Sequence, residues 1–423
     1  MTEPGHMRQN ANLKALENMF EADPVFEDVG PARLVVPGFA DDLILTSGPT
    51  MVWSAYSGGQ REAILGAAQF EGLAASPEDA DQKLKSGAIR VRGAQEYSCV
   101  GSVAGVYSAS MPVLAVRNRK HGNVAFCNFY EGTNPRRLNY GVYDENVRQQ
   151  LKYVGTIVAP TLGAAIRRSG GIALKPVMKR ALNMGDELHS RNNAAGLLFL
   201  RELLPHLVAL HVENGPEVDR TIEAIAADQY FFLRFSMAAA KATADAAHGV
   251  EGSSLVTAMC FNCRELAIRI SGLADTWFTG PHPQVAAKLF DGYGTEDIAW
   301  MGGESPITET IGLGGFAQAC APSLQDYQGG SVQSLIDKTL EMYNITLGEN
   351  PDYLIAYLGY RGTPTGIDIF KVMQTGITPI MDIGIAGKRG GQIGAGTVRA
   401  DIGCFEAAQA AFLQRYSKLG ARL

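Results

Sequence analysis

Residues 42–73 read DLILTSGPTMVWSAYSGGQREAILGAAQFEGL, and their pattern decides the class of fold. Asp42–Thr46 is an apolar run of strand length, Ser47-Gly48-Pro49-Thr50 is a turn, and Gln60–Leu73 sets small residues along one face at helical spacing. Strand, turn and helix in that order are the grain of an α/β protein. On either side of this stretch, Ala32–Val36, Ala104–Val116 and Asn123–Asn128 read as further strands. Past residue 145 the texture changes. Asn146–Val158, Lys175–Asn193, Leu197–Val212, Val218–Phe235 and Ser236–Ala247 repeat apolar residues at the helical period. From residue 253 strand and glycine signals return, in Ser254–Met259 and Leu266–Ser271. The helix Val332–Asn344, the segments Pro351–Tyr360, Gly366–Gln374 and Pro379–Ile385, and the helix Cys404–Lys418 follow. The expected class is α/β, with two α/β domains separated by a mainly helical region. The expected spans are an N-terminal extension at 1–26, the first domain at 27–145, the helical region at 146–250 and the second domain at 251–423.

A chain of 423 residues, 46% hydrophobic and 19% charged, is globular and too long for one ordinary core. Its net charge of −6 argues against nucleic acid, which requires a basic surface. No run approaches the roughly 18 apolar residues of a membrane span. The best candidate, Leu197–Leu210, is interrupted by Arg201, Glu202 and His206. The first residues are polar and lack the apolar segment of a signal peptide, so a cytoplasmic location is expected. Six scattered cysteines make no disulfide framework. Cys260 and Cys263 form a lone CxxC, which reads as two small buried side chains rather than half of a metal site.

Four clusters carry chemistry-bearing side chains. The densest is Asn183-Met184-Gly185-Asp186-Glu187-Leu188-His189-Ser190-Arg191-Asn192-Asn193. At roughly 100° per residue a helix here would bring Asp186, His189 and Asn193 to one face and pair Glu187 with Arg191 on another. Asp186, Glu187, His189, Arg191 and Asn192 are therefore the candidate catalytic residues. Gly185 is expected to make room for a close neighbour. Two glycine-rich segments, Gly312–Ala317 and Gly384–Gly396, suit anion binding through backbone N–H groups, so Gly314, Gly315 and Gly394, with Lys388 and Arg389 as countercharge, are candidate substrate contacts. Glu304 and Glu309 are candidate substrate-site acids. Arg269 suits carboxylate recognition. The fourth cluster, Gln95-Glu96-Tyr97 with Gly101-Ser102-Val103-Ala104-Gly105 and the downstream Asn128–Gly132, reads as structural. No GxSxG, HExxH or dinucleotide fingerprint is present, and no metal ligand is nominated.

MGDELHSRN (184–192), SMAAAKATADAA (236–247), SSLVTAMCFNCRELAIRISGLADTWFTGP (253–281), ETIGLGGFAQACAP (309–322) and GIAGKRGGQIGAG (384–396) together resemble the YlbE/YahG-like family. QFEGLA (69–74) and SMPVLAVRN (110–118) fit it too. That family includes the large subunit of oxamate carbamoyltransferase. The resemblance implies phosphorolysis of a carbamoyl amide, oxalurate plus phosphate giving oxamate plus carbamoyl phosphate, with companion subunits. The expected partners are a small anionic substrate and either further copies or companion subunits. Phosphate is the one expected co-substrate, and a divalent metal is left open. On the residues' own chemistry, Lys388, Arg389 and the glycine loops would hold anions while His189 with Asp186 moves a proton. At Ala94-Gln95-Glu96-Tyr97 the chain departs from the family's Cys-His-Glu-His-like segment, which opens two alternatives: an amide or cyclic-amide hydrolase on the same scaffold, or a non-catalytic subunit.

Overall fold

The computed structural model describes residues 3–132 and 134–420. Helices and sheets are mixed along the chain, and most strand pairing is antiparallel. The first half is built on a five-stranded sheet in the order Cys99–Val100, Val124–Asn128, Pro112–Asn118, Pro24–Pro31, Ile172–Ala173. Among the described strands, parallel pairing is confined to Cys99–Val100 with Val124–Asn128 and to Leu43–Thr46 with Arg90–Gly93. The second half holds an antiparallel sheet of Trp277–Pro281, Glu265–Ile270 and Val256–Phe261. Beside it lies a second, in the order Val285–Leu289, Gln392–Arg399, Ile380–Gly387, Ile298–Ala299.

The opening stretch folds as its pattern requires. Leu43–Thr46 is a strand buried at every position, and the helix Gly58–Phe70 turns Ala63, Ile64 and Ala67 onto Ile44. Three local expectations fail for identifiable reasons. Ala32–Val36 is a single helical turn, Ala32–Val35, because the strand lies before it and ends at Pro31. The strand expected from Ala104 starts only at Pro112, since Gly105 at φ +56° and a tight turn occupy the residues before it. Within Gly366–Gln374, Asp368 accepts the Phe370 N–H at 3.2 Å and so caps a helix, Ile369–Thr375.

The N-terminal residues form the helix Glu3–Glu21, which buries Ala15, Leu16 and Met19 beside Ala247 and Leu255. Asn12 ties it down by accepting the Ser254 N–H at 2.7 Å. The helices Ala159–Ser169, Leu174–Leu182 and Leu233–Ala246 pack on the five-stranded sheet, and Asn193–Ala227 packs on the first two of them. One continuous apolar core joins Phe26, Val29 and Leu114 to Leu162, Phe199 and Phe235, and extends to Ile307 and Leu313. A second core sits under the C-terminal sheets, where Met259 and Ile268 meet Ile383, Phe405 and Phe412.

Contrary to the sequence reading, one helix, Asn193–Ala227, is by length and composition apolar enough to cross a bilayer, with 22% of its most apolar window buried. Backbone at Asn214 leaves helical geometry, and Pro205 and Pro216 lie inside. Its inner side buries Leu198, Phe199, Leu203 and Leu207, while Leu197, Leu204, Val208 and Val212 are exposed.

Candidate active site

A cleft of about 110 Å³ opens where the first half of the chain, the helical layer and the C-terminal hairpin meet. Ser102, Val103, Glu131, Arg137 and Asn139 line it from the first half. His189, Ser190, Tyr230 and Arg234 come from the helical layer, and Trp300, Gly302, Gly303, Tyr327, Ile383–Ala386 and Gln392 from the second. In a roomier surface groove of about 810 Å³, Glu27 pairs with Arg117 and Asp28 with Arg167.

His189 reaches the cleft on a loop. The helix expected over Lys175–Asn193 stops at Leu182, and the next helix starts at Asn193. Gly185 at φ +99° and Leu188 at φ +71° turn the chain between them, and nothing lies within 4 Å of where a Gly185 Cβ would stand. Gly185 thus serves a left-handed turn rather than a close neighbour. Asp186 accepts the Ala195 N–H at 2.8 Å, satisfying a donor in the first turn of the long helix. Burial pushes the Asp186 carboxyl up against that bond. Glu187 accepts N–H groups from His189, Ser190 and Arg191, so it folds the loop around its own carboxylate. Burial, and then the neighbouring Asp382, push Glu187 well above the usual carboxylate range.

The partner of His189 is Glu309, whose Oε1 lies 2.8 Å from the imidazole Nδ1. The same oxygen accepts the N–H groups of Gly315 at 3.0 Å and Asp382 at 2.9 Å, and Oε2 accepts the Thr308 hydroxyl at 2.8 Å. A Cβ on Gly314 would stand 2.3 Å from Glu309 Oε1, and one on Gly315 2.4 Å from Ile380 O. Only glycine lets the backbone close over this carboxylate. Burial alone would disfavour the charged imidazole, but the adjacent Glu309 overrides it and raises the His189 pKa. With Nδ1 bonded to a carboxylate, Nε2 is the ring nitrogen left for chemistry.

Arg234 follows from local packing. Phe231, Phe232 and Phe235 gather around the Phe199 ring at 6.5, 5.9 and 4.5 Å between centroids, so the remaining side of this turn carries Arg234 into the cleft. Its guanidinium donates to the Ser102 hydroxyl, and its Nε is buried without a partner. Arg137 bonds the Asn134 carbonyl at 2.8 Å. Among the described residues neither arginine reaches a carboxylate at ion-pair distance. Glu131, buried, is pushed up by desolvation, with Arg137 pulling it down.

A family model described as oxamate carbamoyltransferase subunit AllG matches residues 89–305. The chain is 41% identical over 410 residues to the uncharacterized protein YahG of Escherichia coli (strain K12), covering 96% of this chain and 86% of YahG. It is 36% identical over 403 residues to oxamate carbamoyltransferase subunit AllG of the same strain, covering 94% of this chain and 96% of AllG. The chain belongs to the YahG/AllG family. A crystal structure of a conserved protein of unknown function from Enterococcus faecalis V583 superimposes with a TM-score of 0.94 at 36% identity, covering 98% of this chain and 99% of that one. The likeness to AllG supports a role in carbamoyl transfer at the level of the family.

Within this YahG/AllG-family fold the nominated residues scatter. Among the candidate catalytic residues, His189 lines the cleft; Asp186, Glu187, Arg191 and Asn192 build the loop that carries it. Arg191 stands 3.5 Å from Asp186 rather than pairing with Glu187. Gly314, Gly315 and Glu309 support His189 from behind. Gly394 packs against the Lys288 carbonyl in the sheet, so most of this glycine-rich segment is a β-ladder; Lys388 and Arg389 lie exposed at the tip of the hairpin Ile380–Gly387/Gln392–Arg399, beside Arg136 in a surface pocket apart from the cleft. Arg269 is spent on Asp245 at 3.1 Å, which also pairs with Lys241. Glu304 is fully buried beneath the cleft. Ser102 and Glu131, read from sequence as structural, line the cleft, and Arg137, Asn139, Tyr140, Arg234 and Trp300 were not nominated. The signal for Arg234 was legible: one arginine inside Phe231-Phe232-Leu233-Arg234-Phe235.

Proposed function

We propose that this cleft transfers a carbamoyl group between phosphate and the nitrogen of a small anionic amide, as in oxalurate plus phosphate giving oxamate plus carbamoyl phosphate, within a complex of companion subunits. The observation that carries the reading is the pairing, in one cleft, of two arginines lacking a carboxylate partner with a carboxylate-oriented histidine. Arg137 and Arg234 would hold the phosphate and the substrate carboxylate, as guanidinium forks do. A phosphate oxygen attacks the carbamoyl carbon, and the C–N bond to the departing amide breaks. The His189 imidazolium gives its proton to that nitrogen, and the neutral ring then takes the proton that the phosphate gives up. The unpartnered Arg234 Nε suits the oxyanion formed on the way. Relatedness to AllG supports the reaction class.

The test is to incubate the chain with its companion subunits and oxalurate, with and without phosphate, scoring carbamoyl phosphate. Phosphate-dependent product supports the reading. Cleavage without phosphate replaces it with a hydrolase, and no cleavage of any ureide leaves a non-catalytic subunit.

A further inference from the structure

Beneath the cleft, four segments meet as close-packed backbone: Ser47–Gly48, Gly101–Gly105, Phe261–Asn262 and Gly302–Gly303. A Cβ on Gly101 would stand 2.4 Å from Gly105 Cα, one on Gly105 2.2 Å from Ser47 Oγ, and one on Gly302 3.2 Å from the Phe261 carbonyl. Phe261 and Gly303 exchange N–H···O bonds of 2.7 and 3.0 Å. In the middle sits Val103 at φ +56°, a left-handed conformation that a β-branched side chain adopts only when its surroundings impose it.

Glu304 joins these segments. Its Oε2 accepts the Gly101 N–H at 2.8 Å, its Oε1 accepts the Gly48 N–H at 3.2 Å, and its own N–H donates to the Gly101 carbonyl at 2.8 Å. The side chain is fully buried and does not line the cleft, yet its neighbours Gly303 and Ser305 do, as do Ser102 and Val103. No cation touches it at ion-pair distance among the described residues; Lys241 and Arg269 spend themselves on Asp245. Burial strips the carboxyl of its hydration, and the bonds that compensate for this all run to the backbone around the Gly101–Gly105 turn.

We propose that Glu304 is a positioning residue: by fixing the Gly101–Gly105 turn against Gly48 and Gly303, it sets where Ser102, and through Ser102 the Arg234 guanidinium, stand in the cleft. The inference rests on the reading of the cleft as the substrate site. Burial pushes the Glu304 carboxyl up to about 8, while the Gly101 and Gly48 N–H groups, Lys241 and Arg269 pull it down. The other titratable groups facing it, Cys99, Cys127, Cys260 and Tyr107, are all raised by burial and stay neutral in that range. Oxamate affinity in the wild-type chain should therefore carry a titration step near pH 8 that Glu304→Gln loses, whereas any step from His189, or from the ionisation of phosphate itself, persists in the variant.

The experiment compares the full wild-type chain with Glu304→Gln in two measurements. One is amide hydrogen exchange of the segment 99–107 without ligand; the other is titration with oxamate and with inorganic phosphate, per folded molecule, across the pH range. The expected result is at least tenfold faster exchange confined to that segment and to residues 47–50, affinity at least tenfold weaker, and loss of the step near pH 8. Unchanged exchange, or an affinity and pH profile matching wild type, would overturn the proposal. If Gln does not fold, Glu304→Asp, too short to reach both N–H groups, is read in the same two measurements with the same outcomes. If wild type binds neither anion, the substrate reading of the cleft fails, and the exchange measurement alone decides the role of Glu304.

Discussion

His189 Nδ1 stands 2.8 Å from Glu309 Oε1, joining a loop between two helices to a 3-10 turn 120 residues away in sequence. Three further donors hold that carboxylate, so the imidazole is oriented by a group that cannot itself swing. Replacing a general acid–base group typically costs about 10²–10⁴ in rate. His189→Gln should lower single-turnover carbamoyl transfer roughly a hundredfold while substrate affinity stays within a few-fold. An unchanged rate would remove His189 from the chemistry.

The same pair sets a dependence of stability on pH. The folded pKa of His189 lies above its ordinary value of about 6.5. A group raised on folding contributes fully below its unfolded pKa, and that contribution fades as pH rises through the folded pKa. Glu309→Gln deletes the cause. Wild type should therefore exceed the variant in unfolding free energy by more at about pH 5.5 than at about pH 9. Urea denaturation at both values reads this, and an equal gap would mean that the imidazole is not charged when folded.

Arg137→Ala and Arg234→Ala should each raise KM for anionic substrates by about ten- to a hundredfold, since a charge-assisted hydrogen bond contributes roughly 1.5–3 kcal/mol. Lys388→Ala, at the exposed hairpin tip, should stay within about twofold of wild type, because an exposed charge contributes little. Steady-state kinetics on the three variants checks the contrast. A large effect at Lys388 with none at the arginines would move the anion site to the hairpin.

Gly314→Ala should cost several kcal/mol and abolish activity together. Its Cβ would meet Glu309 Oε1 at 2.3 Å and His189 Cβ at 3.0 Å, and its φ of +56° penalises any side chain. Thermal unfolding with an activity assay tests both halves. Lost stability with full activity would separate the glycine from the His189 support.

Several features were legible in the chain itself. The strand and helix flanking Ser47–Thr50 follow from apolar spacing, and the motifs from MGDELHSRN to GIAGKRGGQIGAG mark the family. The importance of His189 and Glu309 could be suspected from polar residues amid apolar neighbours. Their partnership could not, because helical periodicity offered Asp186, a nearer residue, as the mate of His189. The left-handed turns at Gly185 and Leu188 break that periodicity, and nothing in local spacing announces a turn whose cause is a carboxylate folded into its own loop.

The glycine-rich segments show the same division. Composition marked Gly314 and Gly315 for backbone N–H groups that would meet a substrate anion; in the fold the Gly315 N–H meets the protein's own Glu309 carboxylate and the Gly314 N–H the Glu187 carbonyl. It could not tell that Gly384–Gly396 is two paired strands with Lys388 and Arg389 at the exposed tip. By itself the sequence determined the mixed α/β class, the strand and helix around Ser47–Thr50 and the family to which the chain belongs, because these depend on residues close together or on their order. Tertiary structure alone decided which charges are spent on one another, as Arg269 is on Asp245, and which face the cleft unpaired, as Arg137 and Arg234 do. Pairing depends on side chains brought within about 4 Å by distant parts of the chain, and no local pattern encodes that distance.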